Sequence, residues 1–151
     1  MNLIDLIKED LIFVDLKVKD KFDLIKILYE KLYQKGYVKE SYLKGVTDRE
    51  KVYPTGINLE TSYSVAIPHT EAEYVLKPAI CIAILKEPIK FKRMDSPEED
   101  IDVNAVFMIA LNDKEKQAIV LEKLIEAFTN KDLMEKLLKE KDKSNIVNLF
   151  K

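Results

Sequence analysis

Apolar residues recur at helical spacing between positions 19 and 35, at Phe22, Ile25, Leu28 and Leu32, and predict an amphipathic helix with Asp20 as its N-cap and Gly36 as its stop. Ser41 is placed to cap a second helix through Tyr42, Val46 and Arg49. That helix must end before Pro54, because the residue ahead of a proline is pushed out of the α region. The pattern then changes to short β-rich runs at 56–59, 63–67, 79–85 and 102–111, the last two apolar enough for the interior of a sheet. From Lys114 the helical period returns, with Gln117, Val120, Leu121, Leu124, Ile125 and Phe128 on one stripe, followed by helical stretches at 133–138 and 144–150. Helices, then strands, then helices predict an α/β sandwich: a mixed central β-sheet flanked by helices, in a single domain covering 1–151. Strand order and direction stay open at this level.

Composition narrows the function classes. The chain has 151 residues, enough for one well-buried core. Its 27 acidic and 25 basic residues leave a formal charge of -2, so no overall positive field is present to hold a nucleic acid backbone. The longest apolar run, Ala79-Ile80-Cys81-Ile82-Ala83-Ile84-Leu85, is far short of the roughly 20 residues that span a bilayer. The N-terminal stretch carries Asp5, Glu9 and Asp10 and lacks the basic segment of a secretory signal, so a cytoplasmic location without membrane insertion is expected. Cys81 is the only cysteine and His69 the only histidine, which leaves no set of sulfur and nitrogen ligands for a tetrahedral zinc within one chain; no metal and no cofactor are expected. Cys81, among apolar neighbours, reads as a buried and inert thiol.

The chemistry concentrates in Ser64-Val65-Ala66-Ile67-Pro68-His69-Thr70-Glu71-Ala72-Glu73, where an apolar strand runs into a proline and then the histidine. Thr70 and Glu73 have the spacing of a capping box, which would place His69 just ahead of a helix N-terminus. Backbone N–H groups there favour an anion and disfavour imidazolium, keeping a lone pair available for a phosphoryl group. A lone histidine is more commonly an ordinary loop residue, so neighbouring motifs must decide. Ser62 and Ser64 lie on a plain strand pattern with no Gly-x-Ser-x-Gly elbow, and Gly36, Gly45 and Gly56 are too scattered for a phosphate-binding loop of the nucleotide type.

Arg49-Glu50, Tyr53-Pro54-Thr55-Gly56-Ile57 and Val65-Ala66-Ile67-Pro68-His69 together resemble the enzyme IIA components of sugar phosphotransferase systems, of the fructose, mannitol and galactitol type. The resemblance runs over nearly the whole chain, through the 79–85 strand, a Pro88-Ile89-Lys90-Phe91 turn and the strand from Asp102 to Ala110 with the helix behind it. It implies that His69 carries a phosphoryl group taken from phospho-HPr and passed to a cysteine of enzyme IIB, with membrane component IIC served indirectly. Arg49 would then clamp phosphoryl oxygens, a task its planar fork suits. Thr55 supplies a hydroxyl to the phosphoryl group or merely completes a turn. Thr70 caps the helix, touches phosphate, or does both. Mannitol- and fructose-type members carry a second histidine where this chain reads Lys114-Glu115-Lys116-Gln117; Gln117 falls at that point, as in galactitol-type members, and its amide offers a hydrogen bond that does not titrate. The departure leans toward the galactitol-like branch. A competing expectation is a regulatory module of the nitrogen-related type, in which phosphorylation of His69 controls binding to partner proteins.

Overall fold

A computed structural model describes residues 2–59 and 63–151. A short 3-10 turn at Leu3–Leu6 leads into strand β1, Ile7–Leu16, which the sequence pattern did not reveal. Its Lys8, Glu9 and Asp10 are exposed while Leu11 and Ile12 are buried, so a charged half precedes an apolar half and no alternation of period two is visible. Helix α1, Lys21–Gln34, begins where the spacing predicts: Asp20 accepts from the N–H groups of Phe22 and Asp23. It ends at Gly36, whose φ of 82° is the left-handed conformation of a helix stop.

Helix α2, Tyr42–Val52, follows, but Ser41 makes no side-chain cap because it already has helical φ and ψ. Strands β2 (Gly56–Asn58) and β3 (Ser64–Ala66) lie on either side of 60–62; the Ser62 reading falls outside the described residues. Strand β4 spans Ala79–Lys92 and β5 spans Asp100–Ala110. Pro88 to Phe91 are therefore not a turn: they continue β4, which re-pairs with β5 from Ile89 after a register shift beyond Ile84. The irregularity accommodates a proline that has no N–H to donate to the ladder.

The sheet order is β1-β4-β5-β3-β2, with β1 parallel to β4, β3 parallel to β5 and the other neighbours antiparallel. It is the mixed sheet of the sequence expectation. Helices α3 (Lys114–Phe128), α4 (Lys131–Lys139) and α5 (Lys143–Leu149) complete the chain. Period two in β4 and β5 sends Cys81, Ala83, Val106 and Met108 into a core with α1 and α2, and Ile80, Ile82, Phe107 and Ile109 into a second core with α3, α4 and α5. Cys81 is fully buried, and loss of solvation pushes its thiol up to about 12. Among the described residues no helix is long and apolar enough to cross a membrane.

The parallel pairing of β3 with β5 determines where chemistry can gather. Both strands end at the same edge of the sheet, so the Pro68-His69 segment and the start of α3 meet there. Ligand sites in α/β sheets form beyond such carboxyl ends.

Candidate active site

His69 emerges one residue after Pro68, and both flanks of that segment are tied to the sheet. Ile67 N–H donates to the Thr55 carbonyl at 3.3 Å, and Ile109 N–H donates to the Pro68 carbonyl at 3.0 Å. Tyr42, fully buried, donates its hydroxyl to the Ile109 carbonyl at 2.8 Å, adding α2 to the same network. The imidazole is fixed in turn: Nδ1 lies 2.7 Å from the Ile67 carbonyl oxygen. A carbonyl only accepts, so Nδ1 carries the proton and Nε2 keeps its lone pair. Burial lowers the imidazole pKa below its ordinary value, and the Arg49 guanidinium acts in the same direction, while the Ile67 hydrogen bond and Glu71 oppose them. The neutral ring is the favoured state at neutral pH.

The reason for that neutrality differs from the sequence expectation. Thr70 caps no helix; only a 3-10 turn, Ala72–Tyr74, follows, with Glu71 at its N-cap and no side-chain cap bond. Three residues do not sum to a useful dipole, so loss of solvation and the arginine replace it. Thr70 is buried, and its hydroxyl donates to Glu71 Oε2 at 2.7 Å.

His69 opens on a cleft of roughly 570 Å³ that Arg49, Thr70, Glu71, Lys114 and Gln117 also line. Arg49 reaches it from the last turn of α2, its guanidinium over the Tyr53 ring at 5.2 Å and Nη1 3.4 Å from Glu71 Oε1. Arg49 Nε is buried without a hydrogen-bond partner. Gln117, in the first turn of α3, donates its amide to the Thr70 carbonyl at 3.0 Å. His69, Arg49, Thr70 and Gln117 thus line one cleft.

Thr55 is the exception. It is buried and does not line the cleft; its N–H and hydroxyl both donate to the Glu50 carboxylate at 2.8 Å. The hydroxyl is committed below the site because Glu50 lies on the inward stripe of α2 with Tyr42 and Val46. That spacing of four was visible in the sequence and is the signal by which Glu50 could have been found. Glu71 was also missed as a site residue, since nothing local links it to Arg49, 22 positions earlier.

An imidazole and a guanidinium thus share one cleft at the carboxyl edge of a mixed sheet. The solved complex of enzyme IIAMTL and phosphorylated enzyme IIBMTL from Escherichia coli matches this fold with a TM-score of 0.77 and 28% identity, covering 96% of each chain. The Phosphoenolpyruvate-dependent sugar phosphotransferase system, EIIA 2 family matches residues 5–151, and the chain belongs to it. Among relatives, the galactitol-specific EIIA component of Escherichia coli (strain K12) is 26% identical over 119 residues, covering 79% of this chain and 78% of the relative. The transcriptional regulator ManR of Bacillus subtilis (strain 168) is 32% identical over 106 residues, covering 70% of this chain but only 15% of ManR.

Proposed function

We propose that this chain is a phosphoryl carrier of a sugar phosphotransferase system, accepting the group from phospho-HPr on His69 and passing it to a cysteine of enzyme IIB, for galactitol or a related sugar. The observation that carries the proposal is the Nδ1 hydrogen bond of His69 to the Ile67 carbonyl, which leaves Nε2 with its lone pair on a cleft that holds Arg49. Nε2 attacks phosphorus; the bond from phosphorus to the donor breaks, and its electron pair returns to the donor. The ring then bears positive charge, which the Ile67 carbonyl stabilises at Nδ1–H. Arg49 and the Thr70 hydroxyl face the charge spread over the equatorial oxygens. A cysteine thiolate of the acceptor reverses the step: sulfur bonds to phosphorus, the P–Nε2 bond breaks, and the imidazole is restored. Gln117 holds Thr70 in place, and Thr55 acts from beneath through its carbonyl on Ile67.

The lean toward the galactitol-like branch rests on the resemblance, since Gln117, which lines the cleft, stands where galactitol-type members carry a glutamine. A second reading is a regulatory module of the nitrogen-related type, in which His69 phosphorylation controls binding to partner proteins; the likeness to a chain named a transcriptional regulator favours it. Incubation with enzyme I, HPr and phosphoenolpyruvate, followed by intact mass measurement at alkaline pH, tests the carrier step. The expected result is one phosphoryl group, lost on acidification and absent from His69→Ala. No mass gain with active donors refutes carriage, and a charged protein that no enzyme IIB discharges favours the regulatory reading.

A further inference from the structure

Two donors that the cleft places near His69, Arg49 Nη1 and the Thr70 hydroxyl, are already engaged by one carboxylate of the chain. Glu71 Oε1 takes Arg49 Nη1 at 3.4 Å, and Glu71 Oε2 takes the hydroxyl of buried Thr70 at 2.7 Å. Thr70 is itself held from behind by Gln117. The arrangement reproduces what two phosphoryl oxygens would do, while Arg49 Nε is buried and left without a partner.

We infer that Glu71 is a positioning residue that stands in for the phosphoryl group: its carboxylate holds Arg49 and the Thr70 hydroxyl while His69 is unphosphorylated, and is displaced when the group arrives. This rests on the carrier reading above. Glu71 has the properties a stand-in requires. It is more than half exposed, so its carboxylate swings into water without unfolding anything. It stays ionised, because the Thr70 hydrogen bond and then the backbone hold its pKa below the ordinary carboxylate value. Exchange of one anion for another leaves the guanidinium paired in both states.

The consequence concerns how firmly the carrier holds its cargo. An intermediate carrier must release the group as readily as it takes it, and a clamp that binds the phosphorylated ground state tightly slows the next transfer. Glu71 weakens the clamp twice, by competing for Arg49 and by repelling the incoming charge. For a partly exposed pair these effects together amount to about three- to tenfold in affinity.

Glu73 provides the control, since it lines the same cleft, is exposed, and carries the same charge. The unphosphorylated wild type, Glu71→Gln and Glu73→Gln would be titrated with inorganic phosphate, following the Arg49 Nε–H signal by NMR. Glu71→Gln is expected to bind phosphate about three- to tenfold more tightly, with Glu73→Gln within about twofold of wild type. With phospho-HPr as donor, Glu71→Gln should shift the phosphorylated fraction upward by a similar factor and slow transfer to enzyme IIB. Equal effects of the two substitutions, or none from Glu71→Gln, overturn the stand-in role. If wild-type His69 accepts no phosphoryl group while Glu71→Gln alone tightens phosphate binding, the stand-in survives and the carrier reading fails.

Discussion

Replacing Glu50 by glutamine should change how the stability of this protein depends on pH. The Glu50 carboxyl is 2% exposed, and burial pushes its pKa from 4.5 up to about 7, against the opposing pull of its Thr55 hydrogen bonds and of Lys21 and Arg49. Because the folded acid holds its proton to higher pH than the unfolded one, the folded state binds more protons between those values. Stability from this group is therefore full below pH 4.5 and is lost as pH rises through 7. At 1.36 kcal/mol per pKa unit the whole effect is about 3 kcal/mol, of which about 2.5 falls between pH 5 and pH 8. Glutamine carries no charge, and the Thr55 hydroxyl can turn to accept from its amide while the Thr55 N–H donates to its oxygen. Urea unfolding of both proteins from pH 5 to 8 isolates the effect, since groups such as His69, whose lowered pKa acts in the opposite direction, cancel in the difference. Glu50→Gln should gain about 2.5 kcal/mol relative to wild type across that range. A difference constant to within about 0.5 kcal/mol would mean that Glu50 is not a desolvated charge, and the reasoning would fail.

Two further substitutions probe the support around the site. A Cβ at Gly56 would lie 2.5 Å from the Lys92 carbonyl oxygen, so Gly56→Ala should cost about 1–3 kcal/mol by overpacking; an unchanged thermal midpoint would show that β2 has room to move. Gln117→Ala removes the amide from the Thr70 carbonyl and should lower stability by about 1 kcal/mol while slowing, without abolishing, phosphorylation of His69. A stopped-flow or quenched-flow rate equal to wild type would reduce Gln117 to an ordinary polar helix residue.

Local physics was enough for several elements. Helix α1 follows from its apolar spacing, the Asp20 cap and the Gly36 stop, all written within 17 consecutive residues, 20–36. The continuous apolar runs of β4 and β5 required an interior sheet between two layers of helix, and the motif around His69 pointed to phosphoryl chemistry through its family likeness. Strand β1 was hidden because Lys8, Glu9 and Asp10 face water in a row and its partner, β4, lies some 70 residues away, so only pairing explains it. The capping spacing of Thr70 and Glu73 was misleading for the same reason: packing turned the Thr70 hydroxyl to Glu71 and allowed only a three-residue turn.

Residue order was thus sufficient for most of the elements and for singling out His69 as the proposed nucleophile. Long-range packing was needed to bring Arg49, His69 and Gln117 into one cleft, to commit Thr55 to Glu50, and to set Glu71 against the arginine. Helical and strand periods are set by neighbours within a few residues, whereas these contacts exist only because β3 and β5 run parallel and bring the end of α2 and the start of α3 to one edge of the sheet.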